Sequence, residues 1–123
     1  MSNETPHVVI SGGGTGVGAA IAQAFAKENY RVTILGRTEK TLAEQNLFYQ
    51  ACDVTNSNAI NKAIDIAKEK YGPVSVVIAN AGSATSIPFS KMRADDLRQM
   101  NEVNLIGVFN LWQATMDLSL IHI

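Results

Sequence analysis

Short runs of β-branched residues alternate along this chain with stretches whose apolar positions recur every three to four residues. That is the pattern of a parallel sheet covered by helices. The first run is His7 to Ser11 and the second Arg31 to Leu35. Between them Val17, Ile21, Ala24, Phe25 and Glu28 fall at helical spacing, and the first four predict an apolar stripe facing the sheet. A short helical piece over Thr38 to Gln45 leads to a third strand around Leu47 to Cys52, which ends in Asp53-Val54. Ile60, Ala63, Ile64, Ala67 and Tyr71 then mark a longer helix with Asn61, Lys62, Asp65, Lys68 and Glu69 on its opposite face, and Gly72-Pro73 stops it. The fourth strand, Val74 to Ala79, is almost wholly apolar and reads as a central strand buried on both faces. A polar loop from Asn80 to Arg93 precedes a last helix, in which Leu97, Met100, Asn104, Val108, Leu111 and Thr115 are expected to line one side.

Right-handed crossovers then give the strand order 3-2-1-4. The fold class is α/β: a Rossmann-type doubly wound parallel sheet, cut off after the fourth strand and the helix that follows it. A chain of 123 residues with 46% hydrophobic content has room for one core and one domain. Ten basic against eleven acidic residues, without a basic face or polybasic run, point away from nucleic acid and from anionic membranes, and toward a small-molecule partner. Cys52 is the only cysteine, so one chain builds neither a disulfide framework nor a cysteine-rich metal site, and it reads as a small buried apolar residue. No apolar run reaches bilayer length, and Met1 to Pro6 lacks the features of a secretory signal, so a cytoplasmic setting is expected.

Directly after the first strand comes Ser11-Gly12-Gly13-Gly14-Thr15-Gly16-Val17-Gly18, opening the first helix. A helix start offers unpaired N–H groups and a positive dipole end to a pyrophosphate, and glycines let the backbone approach it. A Walker-type loop requires Gly-Lys-Ser/Thr at its end, but Gly18 is followed by Ala19-Ala20. Gly14, Gly16 and Ala19 match the generic dinucleotide pattern G-x-G-x-x-G/A.

Gly12, Gly16 and Gly18 also resemble the Thr-Gly-x-x-x-Gly-x-Gly loop of short-chain dehydrogenases/reductases in their common form, with Ser11 keeping the hydroxyl of the threonine. The Gly-x-x-Gly-x-x-Gly spacing of the family's extended branch does not fit. The resemblance covers the chain nearly end to end and about half of a typical member. It implies that Gly12, Gly14, Thr15, Gly16, Val17 and Gly18 hold the phosphates of NAD(P), and that Asp53 and Val54 contact the adenine ring. It also implies that Asn80-Ala81-Gly82, with Ala79 in place of the family's first Asn, forms the turn beside the cofactor. The second strand ends Leu35-Gly36-Arg37, with no acid to hold a ribose 2′-hydroxyl, and a guanidinium there suits a 2′-phosphate. NADP(H) is therefore favoured over NAD(H).

Asn104 falls where the family keeps a helical Asn that disturbs the helix and holds a water in the proton relay to a catalytic lysine. Asn costs about 0.6 kcal/mol relative to Ala inside a helix, so its presence asks for a reason. The family's remaining catalytic residues are a serine and a Tyr-x-x-x-Lys pair on one helical face, the lysine lowering the tyrosine's pKa. Here Tyr30, Tyr49 and Tyr71 are followed four places later by Ile34, Asp53 and Ser75, so none forms that pair. The resemblance implies an NADP-preferring reductase or dehydrogenase that acts on a small carbonyl/alcohol substrate and is homo-oligomeric when intact, with this chain inactive alone. The alternative from another class is a stand-alone, non-catalytic NADP-binding or regulatory module.

The closing run Leu118-Ser119-Leu120-Ile121-His122-Ile123 is the translation, in one frame, of CTG TCT CTT ATA CAC ATC, the end sequence of a transposase-based sequencing adaptor. It is expected to be adaptor-derived, with residues 1–117 forming the N-terminal part of a single NAD(P)-binding domain. On that expectation the fourth strand presents a free edge, Leu105, Phe109 and Trp112 are uncovered, and the chain is poorly soluble.

Overall fold

The computed structural model describes residues 5–82 and 87–116. The run 118–123 and residues 83–86 of the expected polar loop lie outside the described residues. Strand β1 (His7–Ser11) is buried along its whole length at the middle of the sheet. It pairs in parallel with β2 (Arg31–Gly36) from His7↔Arg31 to Ser11↔Leu35, and on its other side with β4 (Val76–Ile78) from Val8↔Val76 to Ile10↔Ile78. Strand β3 (Phe48–Ala51) adds to β2, giving the order β3-β2-β1-β4 read from the sequence. The fourth strand lies at an edge of this sheet, as the order 3-2-1-4 requires, but it is shorter and less buried than the expected Val74 to Ala79: three residues long and only half-buried.

Alternation along β1 divides the core into two layers. Val8 and Ile10 join Ala22, Val32, Ile34 and Leu42 beneath α1 (Gly16–Lys27) and α2 (Glu39–Ala43). Val9 joins Leu35, Val54, Ile60, Ile64 and Leu111 beneath α3 (Ser57–Tyr71) and α5 (Gly107–Thr115). Helix α3 buries Ile60, Ala63, Ile64 and Ala67 of the stripe its periodicity predicted, and Tyr71, the last of that stripe, is half-buried. Ile60 and Ile64 each contribute about 2 kcal/mol of burial. Asn56 accepts from the Ala59 amide to begin the helix, and Gly72, at φ 84°, ends it.

Two predicted faces are rotated from their expected positions. In α1 the buried residues are Gly18 and Ala22, with Ile21, Phe25 and Ala26 partly covered, while Val17 is 69% exposed. The smallest side chains face the sheet because they allow the closest approach, and Val17 is turned to the rim of a cleft. The last helix is not one helix. α4 (Ala94–Asn101) passes through a π-helical turn at Glu102–Ile106 into α5. A π turn holds more residues than an α turn and so rotates the helix beyond it. Leu111 and Thr115 of the expected stripe are buried, joined by Gly107 and Asn110, whereas Leu97, before the turn, and Asn104, within it, are exposed.

At the opposite end of the strands, His7 is fully buried. Its Nδ1 lies 3.0 Å from the Gly72 carbonyl and its Nε2 2.8 Å from the Thr33 hydroxyl. A carbonyl only accepts, so the neutral ring carries its proton on Nδ1 and Nε2 accepts from Thr33. The edge of Tyr71 packs on the ring at 5.3 Å, and Arg31 donates to the Tyr71 carbonyl at 2.7 Å.

Candidate functional site

The carboxyl ends of the strands open into a cleft of about 460 Å³ at the point where the chain crosses from one side of β1 to the other. This is where open α/β sheets bind ligands. Gly12, Thr15, Gly16 and Val17 from the first loop, Arg37 after β2, Asp53 and Val54 after β3, and Asn80, Ala81 and Gly82 after β4 all line it. Gly36 and Val103, which sequence reasoning did not assign to the site, complete the lining together with Cys52, which is half-buried at the cleft wall rather than enclosed in the core as expected.

The glycine loop is held by its surroundings. Gly12 and Gly16 have φ of 66° and 53°, a conformation that favours glycine. A Cβ on Gly16 would meet nothing within 4 Å, so the backbone there borders open space. Gly18 does not line the cleft: a Cβ on it would run into the Gly12 carbonyl oxygen. Gly14 is also off the lining, and a Cβ there would meet Thr41 and Leu42. Gly13 donates to the Leu35 carbonyl at 3.1 Å and packs so closely on Ile34 that a Cβ would lie 2.6 Å from that side chain. The first turn of α1 contains no acidic residue, and Thr15 makes no side-chain cap. Its early N–H groups are therefore left for a ligand.

Ser11 ties the two strand ends together. Its hydroxyl accepts from the amides of Asn80 and Ala81, both at 3.0 Å, and the Asn80 side chain donates to the Gly12 carbonyl at 3.2 Å. Asp53 is fixed by Thr55, whose amide and hydroxyl donate to one carboxylate oxygen at 2.9 and 2.7 Å. These two bonds hold the Asp53 carboxyl below its ordinary value; burial works against them, while the charge of Arg37 adds a smaller push downward. Burial, then the charge of Asp53, pushes the Cys52 thiol up to about 11, so it stays protonated at neutral pH.

Asn104 lies in the π turn, and a Cβ on Gly82 would stand 3.2 Å from its Oδ1. It therefore borders the cleft without lining it. Two residues of α5 that sequence reasoning passed over bring this helix to the site. Gly107 has no room for a Cβ, which would lie 2.6 Å from Val54, and Asn110 donates to the Val54 carbonyl at 2.8 Å. Their signal was present as small or polar residues recurring every three positions, Asn104, Gly107 and Asn110, inside an apolar helix. None of Tyr30, Tyr49 and Tyr71 lines the cleft. Among the described residues no group of three or more His, Cys, Asp or Glu side chains is placed to hold a metal, and no helix is long and apolar enough to cross a membrane.

The fold is that of known proteins. A model of the short chain dehydrogenase family matches residues 6–121, and the chain belongs to that family. It is 34% identical over 106 residues to the 3-oxoacyl-(acyl-carrier-protein) reductase MabA of Mycobacterium tuberculosis, a match covering 86% of this chain and 42% of that one. Among solved structures it resembles a short chain dehydrogenase from Bacillus anthracis (TM-score 0.85, 31% identity, 89% of this chain and 49% of that one). It also resembles an alcohol dehydrogenase from Thermococcus sibiricus complexed with 5-hydroxy-NADP (TM-score 0.84, 30% identity, 91% and 52%). The chain thus spans about two-fifths of the length of the curated relatives it matches.

Proposed function

We propose that the cleft binds NADP(H), in preference to NAD(H), for an oxidoreductase that interconverts a carbonyl and a hydroxyl on a small-molecule substrate. The observation that carries this reading is the convergence, on one cleft, of the open N-terminus of α1, Arg37, Asp53-Val54 and Asn80-Ala81-Gly82. The cradle fits a dinucleotide. Glycine backbone with no Cβ borders open space at Gly16, and amides at a helix start suit a pyrophosphate. Arg37 has no hydrogen-bond or ion-pair partner among the described residues, which leaves its guanidinium for a 2′-phosphate. The Thermococcus relative, whose structure holds an NADP derivative, supports the same choice.

Bound there, the nicotinamide supplies or accepts the hydride. The chain's own residues bind and orient: the Gly12–Gly18 loop holds the phosphates, Arg37 and Asp53 hold the adenosine end, and Gly82 allows close approach. Asn104, in its π turn, would hold a water of the proton relay to the lysine of a Tyr-x-x-x-Lys pair, a pair that the 123-residue sequence does not contain. On this reading residues 1–117 are the N-terminal part of one NAD(P)-binding domain of a cytoplasmic homo-oligomer, and the 123-residue chain alone does not turn over. Adding the protein to NADPH tests the cofactor reading. An enhanced, blue-shifted nicotinamide fluorescence that saturates is expected, and no change with folded protein in excess of cofactor overturns it.

A further inference from the structure

Beside the main cleft lies a smaller recess of about 270 Å³, bordered by Arg37, Asp53, Thr55, Gln99, Glu102 and Val103. Asp53 faces both spaces, so its carboxylate stands at the join between them. Both donors of Thr55 converge on a single oxygen of that carboxylate. Its other oxygen has no hydrogen-bond partner among the described residues.

We propose that Thr55 is a positioning residue that locks the Asp53 carboxylate, leaving one oxygen as a fixed acceptor that selects a 6-aminopurine over a 6-oxopurine in the cofactor. The inference rests on the reading of Asp53 as the adenine contact. An ionised carboxylate accepts and never donates. It pairs with the exocyclic amine of adenine and repels the carbonyl oxygen of hypoxanthine. Hypoxanthine also carries an N1–H donor next to that carbonyl, and a carboxylate free to rotate reaches it. One held through a single oxygen by two donors does not, so discrimination depends on the lock as well as on the charge.

Thr55 is not needed to form the turn. The Asp53 carbonyl accepts from the Asn56 amide at 3.0 Å, and Asn56 itself caps α3. Thr55→Val keeps the Thr55 amide bond to Asp53 and removes only the hydroxyl. NADPH and reduced nicotinamide hypoxanthine dinucleotide phosphate are titrated, by nicotinamide fluorescence, into the wild-type chain, Thr55→Val and Thr55→Ser. The wild type is expected to prefer NADPH, and Thr55→Val to weaken NADPH binding by about fivefold, as the loss of a charge-assisted hydrogen bond implies. The ratio between the two dinucleotides is expected to narrow in Thr55→Val and to recover in Thr55→Ser.

A purely structural Thr55 would weaken both dinucleotides equally and leave the ratio unchanged. That result overturns the proposal, as does a wild type that binds the two alike or a serine variant that fails to recover the ratio. A wild-type chain that is folded and binds no NADPH overturns the cofactor reading itself. That outcome is distinct from intact NADPH binding with a silent Thr55→Val.

Discussion

The Ser11 hydroxyl lies 3.0 Å from the Asn80 amide across 69 positions of sequence, and it accepts from Ala81 at the same distance. Ser11 is 1% exposed, so neither donor has water as an easy substitute. Ser11→Ala leaves two amides without an acceptor at the join of β1 and β4 and is expected to cost about 2 kcal/mol. Ser11→Thr, which keeps the oxygen, is expected to stay near wild type. Chemical denaturation midpoints distinguish the two.

Two glycines of the loop are expected to respond in opposite ways. Gly18→Ala drives a methyl into the Gly12 carbonyl, a backbone atom that cannot swing aside, and is expected to cost about 3 kcal/mol or abolish folding. Gly16→Ala enters open space and is charged only for its positive φ, about 1 kcal/mol. Its larger effect falls on NADPH affinity, because the methyl occupies the proposed phosphate seat. Thermal midpoint and NADPH titration, measured on both variants, separate the two roles.

Arg37→Asp replaces a guanidinium at the end of β2 with the acid that would hold a ribose 2′-hydroxyl. NADPH binding is expected to fall by tenfold or more, on the order of a lost charge-assisted pair, and NADH binding to rise. An unchanged preference in competitive titrations contradicts the assignment of Arg37.

His7 gives the fold a pH dependence of known sign. Burial lowers its pKa from the ordinary 6.5, a lowering that the bond to Gly72 partly offsets and Arg31 reinforces. Between that lowered value and 6.5 the unfolded chain holds more protons than the folded one, so stability rises with pH there. The contribution is complete above about pH 6.5 and is lost as pH falls through the window toward the folded value. Denaturation midpoints from about pH 7.5 to 5 are expected to decline, and His7→Gln is expected to flatten that decline.

Leu105 in the π turn, Phe109 and Trp112 in α5 and Met116 just after it are 60, 56, 56 and 65% exposed. An apolar strip of this kind promotes association. Light scattering is expected to show concentration-dependent self-association of the chain, and Phe109→Ser with Trp112→Ser to reduce it while leaving the unfolding free energy within about 1 kcal/mol.

The sheet was legible from the sequence because β-branched runs and the i, i+3, i+4 spacing of Ile60, Ala63, Ile64 and Ala67 are direct consequences of burial. Most of the cleft was legible as well, because phosphate-binding loops need glycines at fixed places and Arg37, Asp53 and Asn80 fall just beyond strand ends. What periodicity could not supply was phase. In α1, closeness of packing rather than apolarity decided the buried face, so Gly18 and Ala22 took the place read for Val17 and Ala24. At the other end, Leu111 and Thr115 were buried as read, but one non-α turn put the face of α4 out of phase with that of α5, so Leu97 was exposed, and Val103, Gly107 and Asn110 came to the site unannounced.

That turn works as a gear between two shafts. Each added residue advances a helix by roughly 100°, so the polar, solvent-facing α4 is decoupled from the orientation of α5. A uniform helix drawn from Ala94 would carry Asn110 away from the Val54 carbonyl. The wall of the cleft near Val54 thus owes its shape to one surplus position several residues upstream.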